Sequence, residues 1–249
     1  MGLFSKLFKK KEKLIEPADL SVLQTDFHSH IIPGIDDGAQ TIEDSIDLIK
    51  GLMELGFKKI ITTPHCMVDY YRNTPEIINE GLAKVQAEIK KQNLNVALEA
   101  AAEYYVDDDF ERKINAGEIL TFGNNYVLFE LPFLSEPPNL AQVVFLLQSM
   151  GYRPILAHPE RYGFYYNDFE KYQDFVDRGV YLQVNLMSLM GHYSPETKKV
   201  AEKLIERGLV SFIGSDLHNV RQLELLKLAT KFPHLHQLLD SGKLKNAEL

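Results

Sequence analysis

Seven short apolar runs, most of them separated by helical patterns, constrain this chain more than any other feature. They are Val22–His28, Lys59–Thr63, Val96–Ala102, Tyr126–Glu130, Pro154–Ala157, Val180–Asn185 and Val210–Gly214. Apolar runs of this length between turn residues read as strands. The clearest intervening helix is Ile42–Leu55, with Ile42, Ile46, Ile49 and Met53 on one stripe. Thr41 and Asp44 stand at capping-box spacing at its start, and Gly56 supplies its stop. Further helices are expected over Thr74–Lys91, Pro138–Met150, Phe169–Arg178, Pro195–Arg207 and Gln222–Ala229. Strands alternating with helices imply parallel pairing, because each crossover must bury its helix on the sheet. No internal repeat, low-complexity tract or linker divides the chain, so it reads as a basic tail over residues 1–17 and one α/β domain over residues 18–249.

The ends of these strands carry the chemistry. Strand one runs into Asp26, His28 and His30, with Asp36 and Asp37 in the loop beyond. Strand two ends in Thr62-Thr63-Pro64-His65, strand three at Glu103, strand four at Glu130 and strand five at His158. Strand six carries Gln183 and Asn185, and strand seven leads to Asp216 and His218. Metal-capable side chains thus cluster at the carboxyl ends of six of seven expected strands, the face on which closed α/β barrels build active sites. Four carboxylates (Asp37, Glu103, Glu130, Asp216) and five imidazoles (His28, His30, His65, His158, His218) form a mixed N/O set suited to Mn²⁺, Fe²⁺ or Zn²⁺. Nine ligands exceed what one ion takes and suffice for two or three. Strand alternation would send His28 and His30 to one side, and Asp216 and His218 likewise. Three dications against four carboxylates leave +2, a charge that attracts a phosphate dianion.

Composition excludes several alternatives. No apolar run approaches the ~18 residues of a membrane-spanning helix. The net charge of −8 disfavours nucleic acid as a partner. The single cysteine, Cys66, forms no internal disulfide and no thiolate zinc site, which fits a reducing cytoplasm. The tail stands apart: Leu3, Phe4, Leu7 and Phe8 share one helical face, and Lys6, Lys9, Lys10, Lys11 and Lys13 crowd the rest. Residues 1–13 therefore read either as a solvated basic tail or as peripheral contact with anionic lipid at the inner face of the plasma membrane.

The strings Asp26-Phe27-His28-Ser29-His30, Thr63-Pro64-His65, Glu103, Glu130, His158-Pro159 and Ser215-Asp216-Leu217-His218 resemble the polymerase and histidinol phosphatase (PHP) superfamily. The fuller strings FHSHIIPGIDDGAQTIEDS, AAEYY, AHPERY and GSDLHN resemble its capsular-polysaccharide tyrosine phosphatases, over roughly Asp26 to Asn219. The resemblance implies a distorted seven-stranded (β/α)7 barrel of TIM-like type holding three metal ions, usually manganese. It implies a first site of His28, His30, Glu103 and Asp216 and a second of Asp37, His65 and His218. Glu130 and His158 would make the third, bridged by Glu103. Arg161 resembles the family arginine that holds phosphate, and Arg221 is the candidate for a second. The implied reaction is hydrolysis of phosphotyrosine in the tail of a bacterial tyrosine kinase that controls polysaccharide export.

Metal-activated water attacking phosphorus in line, with Arg161 gripping an equatorial oxygen, is the expected mechanism. A phenolate leaving group of pKa ~10 requires little acid assistance, so no general acid is assigned. Tyr70 and Tyr71 are expected either to wall the phenyl ring or simply to pack their loop. One rival is nucleophilic: Cys66 and Arg72 match the Cys-x₅-Arg spacing of cysteine phosphatases, although the residues between them include no glycine to form a phosphate cradle. Other rivals keep the barrel: a small-molecule phosphatase of the histidinol-phosphate type, a polymerase-associated nuclease, or a non-catalytic metal-binding scaffold.

Overall fold

A computed structural model describes residues 13–249, and in it the expected alternation is laid out as nine parallel strands and eight α-helices. The strands are β1 (Thr25–Phe27), β2 (Lys59–Thr62), β3 (His65–Cys66), β4 (Ala97–Ala100), β5 (Glu103–Tyr105), β6 (Tyr126–Glu130), β7 (Arg153–Ala157), β8 (Tyr181–Asn185) and β9 (Val210–Gly214). The helices are α1 (Ile42–Glu54), α2 (Pro75–Lys91), α3 (Asp108–Ala116), α4 (Leu140–Ser149), α5 (Phe169–Asp177), α6 (Pro195–Glu206), α7 (Val220–Ala229) and α8 (Pro233–Asp240). Residues 1–12, which carry most of the basic amphipathic tail, lie outside the described residues.

Two expected strands are each split in two. Thr63-Pro64 separates β2 from β3, and Ala101-Ala102 separates β4 from β5. The lower halves pair as a three-stranded sheet, β1-β2-β4, and the upper halves join a six-stranded sheet, β3-β5-β6-β7-β8-β9. The first strand is shorter than its apolar run because Asp19 caps a 3₁₀ turn over Leu20–Leu23, and Gln24 then adopts a left-handed backbone. A parallel bridge between Ser29 and Leu217 joins the chain beyond β1 to that beyond β9. On the opposite side, Asn246 donates to the carbonyls of Thr25 and Ile213 and accepts from the Ile213 amide.

The helices begin where local chemistry dictates. Thr41 and Asp44 form the reciprocal capping box of α1, and Gly56, at φ +101°, receives the chain as α1 ends. The buried face of α1 is centred on Ser45, Leu48, Ile49 and Leu52, while Ile42 and Met53 are only half-buried. It turns this way because α1 packs against both α2 and α7, and Gly51 lets Leu223 of α7 approach closely. Two helices lacked a clear sequence pattern. α3 is capped by Asp107 but buries only Phe110, Lys113 and Ile114, and α8 buries only Leu235 and Leu238.

A small core cluster fixes the floor of the site. Phe27, Ile61, Ala101, Phe122, Tyr126, Leu128, Ile155, Ala157 and Phe212 pack together, drawn from strands of both sheets. Phe212 meets Phe27 edge-on at 5.1 Å and Tyr126 at 5.2 Å between ring centres. Because strand side chains alternate, the residues two positions further on share the face of this plug. Ala101 thus leads to Glu103, and Leu128 to Glu130.

The approach of β1 to β9 depends on Gly214. A Cβ there would lie 2.6 Å from the Phe27 carbonyl oxygen and 3.1 Å from the His28 Cβ. Gly214→Ala should therefore destabilise the fold by ~1–3 kcal/mol, the scale of an overpacked core. Urea unfolding followed by circular dichroism would measure it; an unchanged midpoint would mean that the two strands separate freely.

Candidate metal centre

Nine side chains selected from the sequence converge at the carboxyl ends of the strands. Glu103, fully buried, is the hub: one oxygen lies 3.2 Å from His28 Nε2 and 3.0 Å from His158 Nε2. Its other oxygen lies 3.1 Å from His65 Nδ1 and 3.6 Å from His30 Nε2. Asp216 Oδ1 stands 3.5 Å from His28 Nε2 and from His218 Nδ1, and 3.6 Å from His30 Nε2. Asp37 faces His65 at 3.5 Å and His218 at 3.6 Å, and Glu130 lies 3.1 Å from His65 Nδ1.

Strand alternation does not account for the whole arrangement. β1 ends at Phe27, and β9 ends at Gly214, so neither His28–His30 nor Asp216–His218 lies on a strand. Phe27 and Ala157 already face the plug, and continued alternation would turn His28 and His158 away. Left-handed backbone at both residues (φ +79° and +33°) breaks the alternation instead, and Asp216 is left-handed too (φ +49°). Such conformations cost ~1–3 kcal/mol each for non-glycine residues and recur at functional sites. Here they bring His28 and His30 to 5.7 Å between ring centres.

A surrounding shell sets the tautomers. His28 Nδ1 lies 2.8 Å from Gln183 Oε1, His30 Nδ1 lies 2.8 Å from Asp36 Oδ2, and His218 Nδ1 lies 3.0 Å from the Asp216 carbonyl oxygen. Donation through Nδ1 leaves Nε2 of each ring, in its neutral form, with its lone pair toward the cluster. Asp36 is itself held by the amides of Gly38 and His65. Gln183 donates to Asn185, and Asn185 donates to Asp216 Oδ2 at 2.7 Å.

The donor set fits cations. His28 Nε2, His30 Nε2, His65 Nδ1, His158 Nδ1 and Glu103 Oε2 are buried without a hydrogen-bond partner, an arrangement that costs free energy unless something else satisfies it. Four overlapping groups have donor atoms within 4.8 Å of one another: His30-Asp37-His65-His218, His28-His30-Glu103, His28-His158-Asp216 and His65-Glu103-Glu130. His30 joins the group around Asp37, and His65 rather than His158 accompanies Glu130, so the ligands are shared more widely than three separate sets imply.

Among the protein's own groups, burial opposes charge on His28, but Glu103 and Asp216 overcome it and raise its pKa to about 9. Burial together with the charge of His218 drives His30 down to about 4, and burial with Arg161 does the same to His158. Both are therefore neutral near pH 7, the form that binds metal. Burial also resists the charge of Glu103, yet His28 and His65 hold its carboxyl well below the ordinary range.

The cleft over this cluster holds about 510 Å³ and is lined by Met67, Tyr70, Tyr105, Phe133, Arg161 and Tyr193 together with several of the nine. Arg161 ends a 3₁₀ turn, Pro159–Arg161, and donates to Asp216 Oδ2 at 3.1 Å. Its guanidinium lies 4.3 Å over the Tyr193 ring and 4.9 Å over the Phe133 ring, two cation–π contacts that fix its plane. Arg221 is exposed at the start of α7 and does not line the cleft; Asn219 and Gln222 do. Tyr70 lines the cleft, whereas Tyr71 stacks on His65 at 5.5 Å. Sequence reasoning missed Phe133, Tyr193 and the orienting role of Asp36. Only Asp36 left a signal, as the neighbour of Asp37.

Cys66 is not arranged as a nucleophile. Its thiol is buried, donates to the Asn73 carbonyl at 3.4 Å and is pushed up by burial to about 12. Arg72 spends its Nε on the Val68 carbonyl at 2.7 Å. The native protein should resist iodoacetamide at pH 8 and become alkylated only after denaturation, as read by mass spectrometry. Rapid native alkylation would return Cys66 to consideration.

An α/β fold of parallel strands with a cluster of imidazoles and carboxylates at their carboxyl ends defines a class of metal-site proteins. Residues 24–230 match the family described as capsular polysaccharide synthesis, CpsB/CapC, and the chain belongs to that family. It is 30% identical over 197 residues to the tyrosine-protein phosphatase YwqE of Bacillus subtilis, covering 79% of this chain and 78% of the relative. The tyrosine-protein phosphatase CpsB of Streptococcus pneumoniae is 27% identical over 221 residues, with 86% and 88% covered. Crystal structures described as YwqE from Bacillus subtilis and CpsB from Streptococcus pneumoniae, metal-dependent tyrosine phosphatases, include a match at TM-score 0.79 and 27% identity, covering 90% of this chain and 89% of that one. A histidinol phosphate phosphatase from Lactococcus lactis shares the fold at TM-score 0.54 and 13% identity, covering 84% and 92%.

Proposed function

We propose that this protein is a metal-dependent protein-tyrosine phosphatase, acting on the phosphotyrosine tail of a bacterial tyrosine kinase that regulates capsular or exopolysaccharide synthesis. The observation that carries the reading is the convergence of unpartnered imidazole and carboxylate atoms beside a clamped arginine in one open cleft. Family membership and the tyrosine phosphatases it resembles supply the substrate class. We assign His28, His30, Asp37, His65, Glu103, Glu130, His158, Asp216 and His218 as the ligands of a three-ion cluster, with manganese as the metal. The same reading takes residues 18–249 as one domain and the two sheets as one distorted seven-stave barrel, supported by the bridge from Ser29 to Leu217.

Bound cations would supply positive charge for the phosphoryl oxygens and lower the pKa of water toward ~7. The chain's residues do the rest. Arg161 presents its planar fork to a phosphoryl oxygen, and its contacts with Asp216, Tyr193 and Phe133 prepay the cost of ordering that long side chain. Gln183 and Asp36 keep His28 and His30 in the tautomers that face the cluster. A tyrosine phenol leaves without a dedicated acid because its pKa is ~10.

Chelation should abolish hydrolysis of a phosphotyrosine peptide, and Mn²⁺ should restore it, with phosphoserine peptide and histidinol phosphate turned over more slowly. Turnover of histidinol phosphate alone would keep the barrel and replace the substrate. In the same assay Arg161→Lys should lower kcat/KM roughly 10²-fold, the scale of losing one preorganised donor. Arg221→Ala should change it far less.

Among the described residues no helix is long and apolar enough to cross a membrane. We place the protein in the cytoplasm, with residues 1–13 contacting anionic lipid at the inner face, on the strength of five lysines beside Leu3, Phe4, Leu7 and Phe8. Flotation with anionic vesicles should recover the full chain and not one lacking residues 1–13. Equal recovery of both would reject the contact.

A further inference from the structure

Phe133 is unusual among the residues around the cleft. It follows β6 in the loop toward α4, and it remains 46% exposed while lining the cleft beside Arg161, His158 and Glu130. Its ring is nearly parallel to that of His158, at 6.0 Å and 18°, and it also contacts the ring of Tyr162 at 5.7 Å. With the guanidinium of Arg161 against it as well, the ring is held in place by three neighbours while a large part of it stays open to the cleft. An exposed phenylalanine of this kind is apolar area that gains by being covered. The position of Arg161 defines what would cover it: a ligand whose phosphoryl group is held by that arginine has its ester substituent beside Phe133.

We infer that Phe133 is the specificity-determining platform on which the aromatic ring of an aryl phosphate lies, an inference that rests on the phosphatase reading for its choice of ligand. Tyr71 is less suited to the role, because it does not line the cleft. Tyr70 lines the cleft as well and is 78% exposed. It lacks the three-sided support of Phe133, so ordering it on a ligand would cost rotamer freedom that Phe133 has already lost. The platform discriminates by area and ring geometry: an aryl ester gains offset stacking on Phe133, and an alkyl ester of equal charge does not.

The test separates ring recognition from phosphate recognition without relying on turnover. Phenylphosphonate and methylphosphonate carry the same head group and are not hydrolysed. Calorimetry on the Mn²⁺-loaded full chain should show phenylphosphonate binding about 5- to 10-fold more tightly, the scale of one aromatic stack. Phe133→Ala should weaken both ligands by loosening Arg161 but bring their affinity ratio to about one, and Phe133→Tyr should retain the preference. Preference that survives in Phe133→Ala, or is absent from the wild type, would overturn the inference. An equal loss of both ligands in Phe133→Ala, with the preference intact, would likewise overturn it, because Phe133 would then act only by holding Arg161. If the ring preference behaves as expected but no phosphotyrosine peptide is hydrolysed, the phosphatase reading fails and the aryl platform stands.

Discussion

The rest of the site depends on one carboxylate. Glu103 is withdrawn from solvent and surrounded by His28, His30, His65 and His158, each within 3.6 Å of one of its oxygens. A carboxylate so placed without positive charge nearby would be strongly destabilising. The groups around it are therefore bound to one another: altering Glu103 would leave four ring nitrogens without their common neighbour. That mutual dependence explains why the backbone tolerates left-handed conformations at His28, His158 and Asp216. The strained residues lie where the chain must depart from strand geometry to reach the same few ångströms of space.

Much of this was legible in the sequence, and the failures have physical causes. The order of strands and helices follows from apolar periodicity, and the capping box at Thr41 and Asp44 locates α1 to within a residue. The ligand-type residues could be collected because the carboxyl ends of parallel strands share one face. The way His28 and His30 come together was not readable, since it depends on a left-handed turn at a histidine, for which no sequence rule exists. The splits at Thr63-Pro64 and Ala101-Ala102 were equally hidden, because the upper halves, His65–Cys66 and Glu103–Tyr105, are too short and too polar to register as apolar runs. Phe133 and Tyr193 reach Arg161 from loops remote from it in sequence, and such contacts carry no local pattern. Helix α3 escaped because Asp107-Asp108-Asp109 and Arg112-Lys113 hide a two-residue apolar stripe.

The comparison with the Lactococcus protein separates what the fold requires from what the chemistry selects. At 13% identity the backbone course is shared, which by itself specifies no substrate. Selection falls to the loops that overhang that end. In this chain the segment after β6 supplies Phe133, the turn after β7 supplies Arg161, and the segment after β8 supplies Tyr193. Three loops thus meet over one arginine, so the cleft can be altered without disturbing the aromatic plug beneath it.

The clamp by Asn246 has a consequence for how the chain comes to be folded. It joins the carbonyls of Thr25 and Ile213, and Asp26 likewise receives the amide and hydroxyl of Ser215, 189 positions away. During synthesis, β1 must wait for almost the entire domain to emerge before its partners on this side exist. Pairings of such sequence separation form late and slowly, and an unpaired strand edge is exposed to association with other chains in the interval. The buried Asp26 makes that edge less adhesive: a carboxylate without its partner serine favours water over a neighbouring sheet.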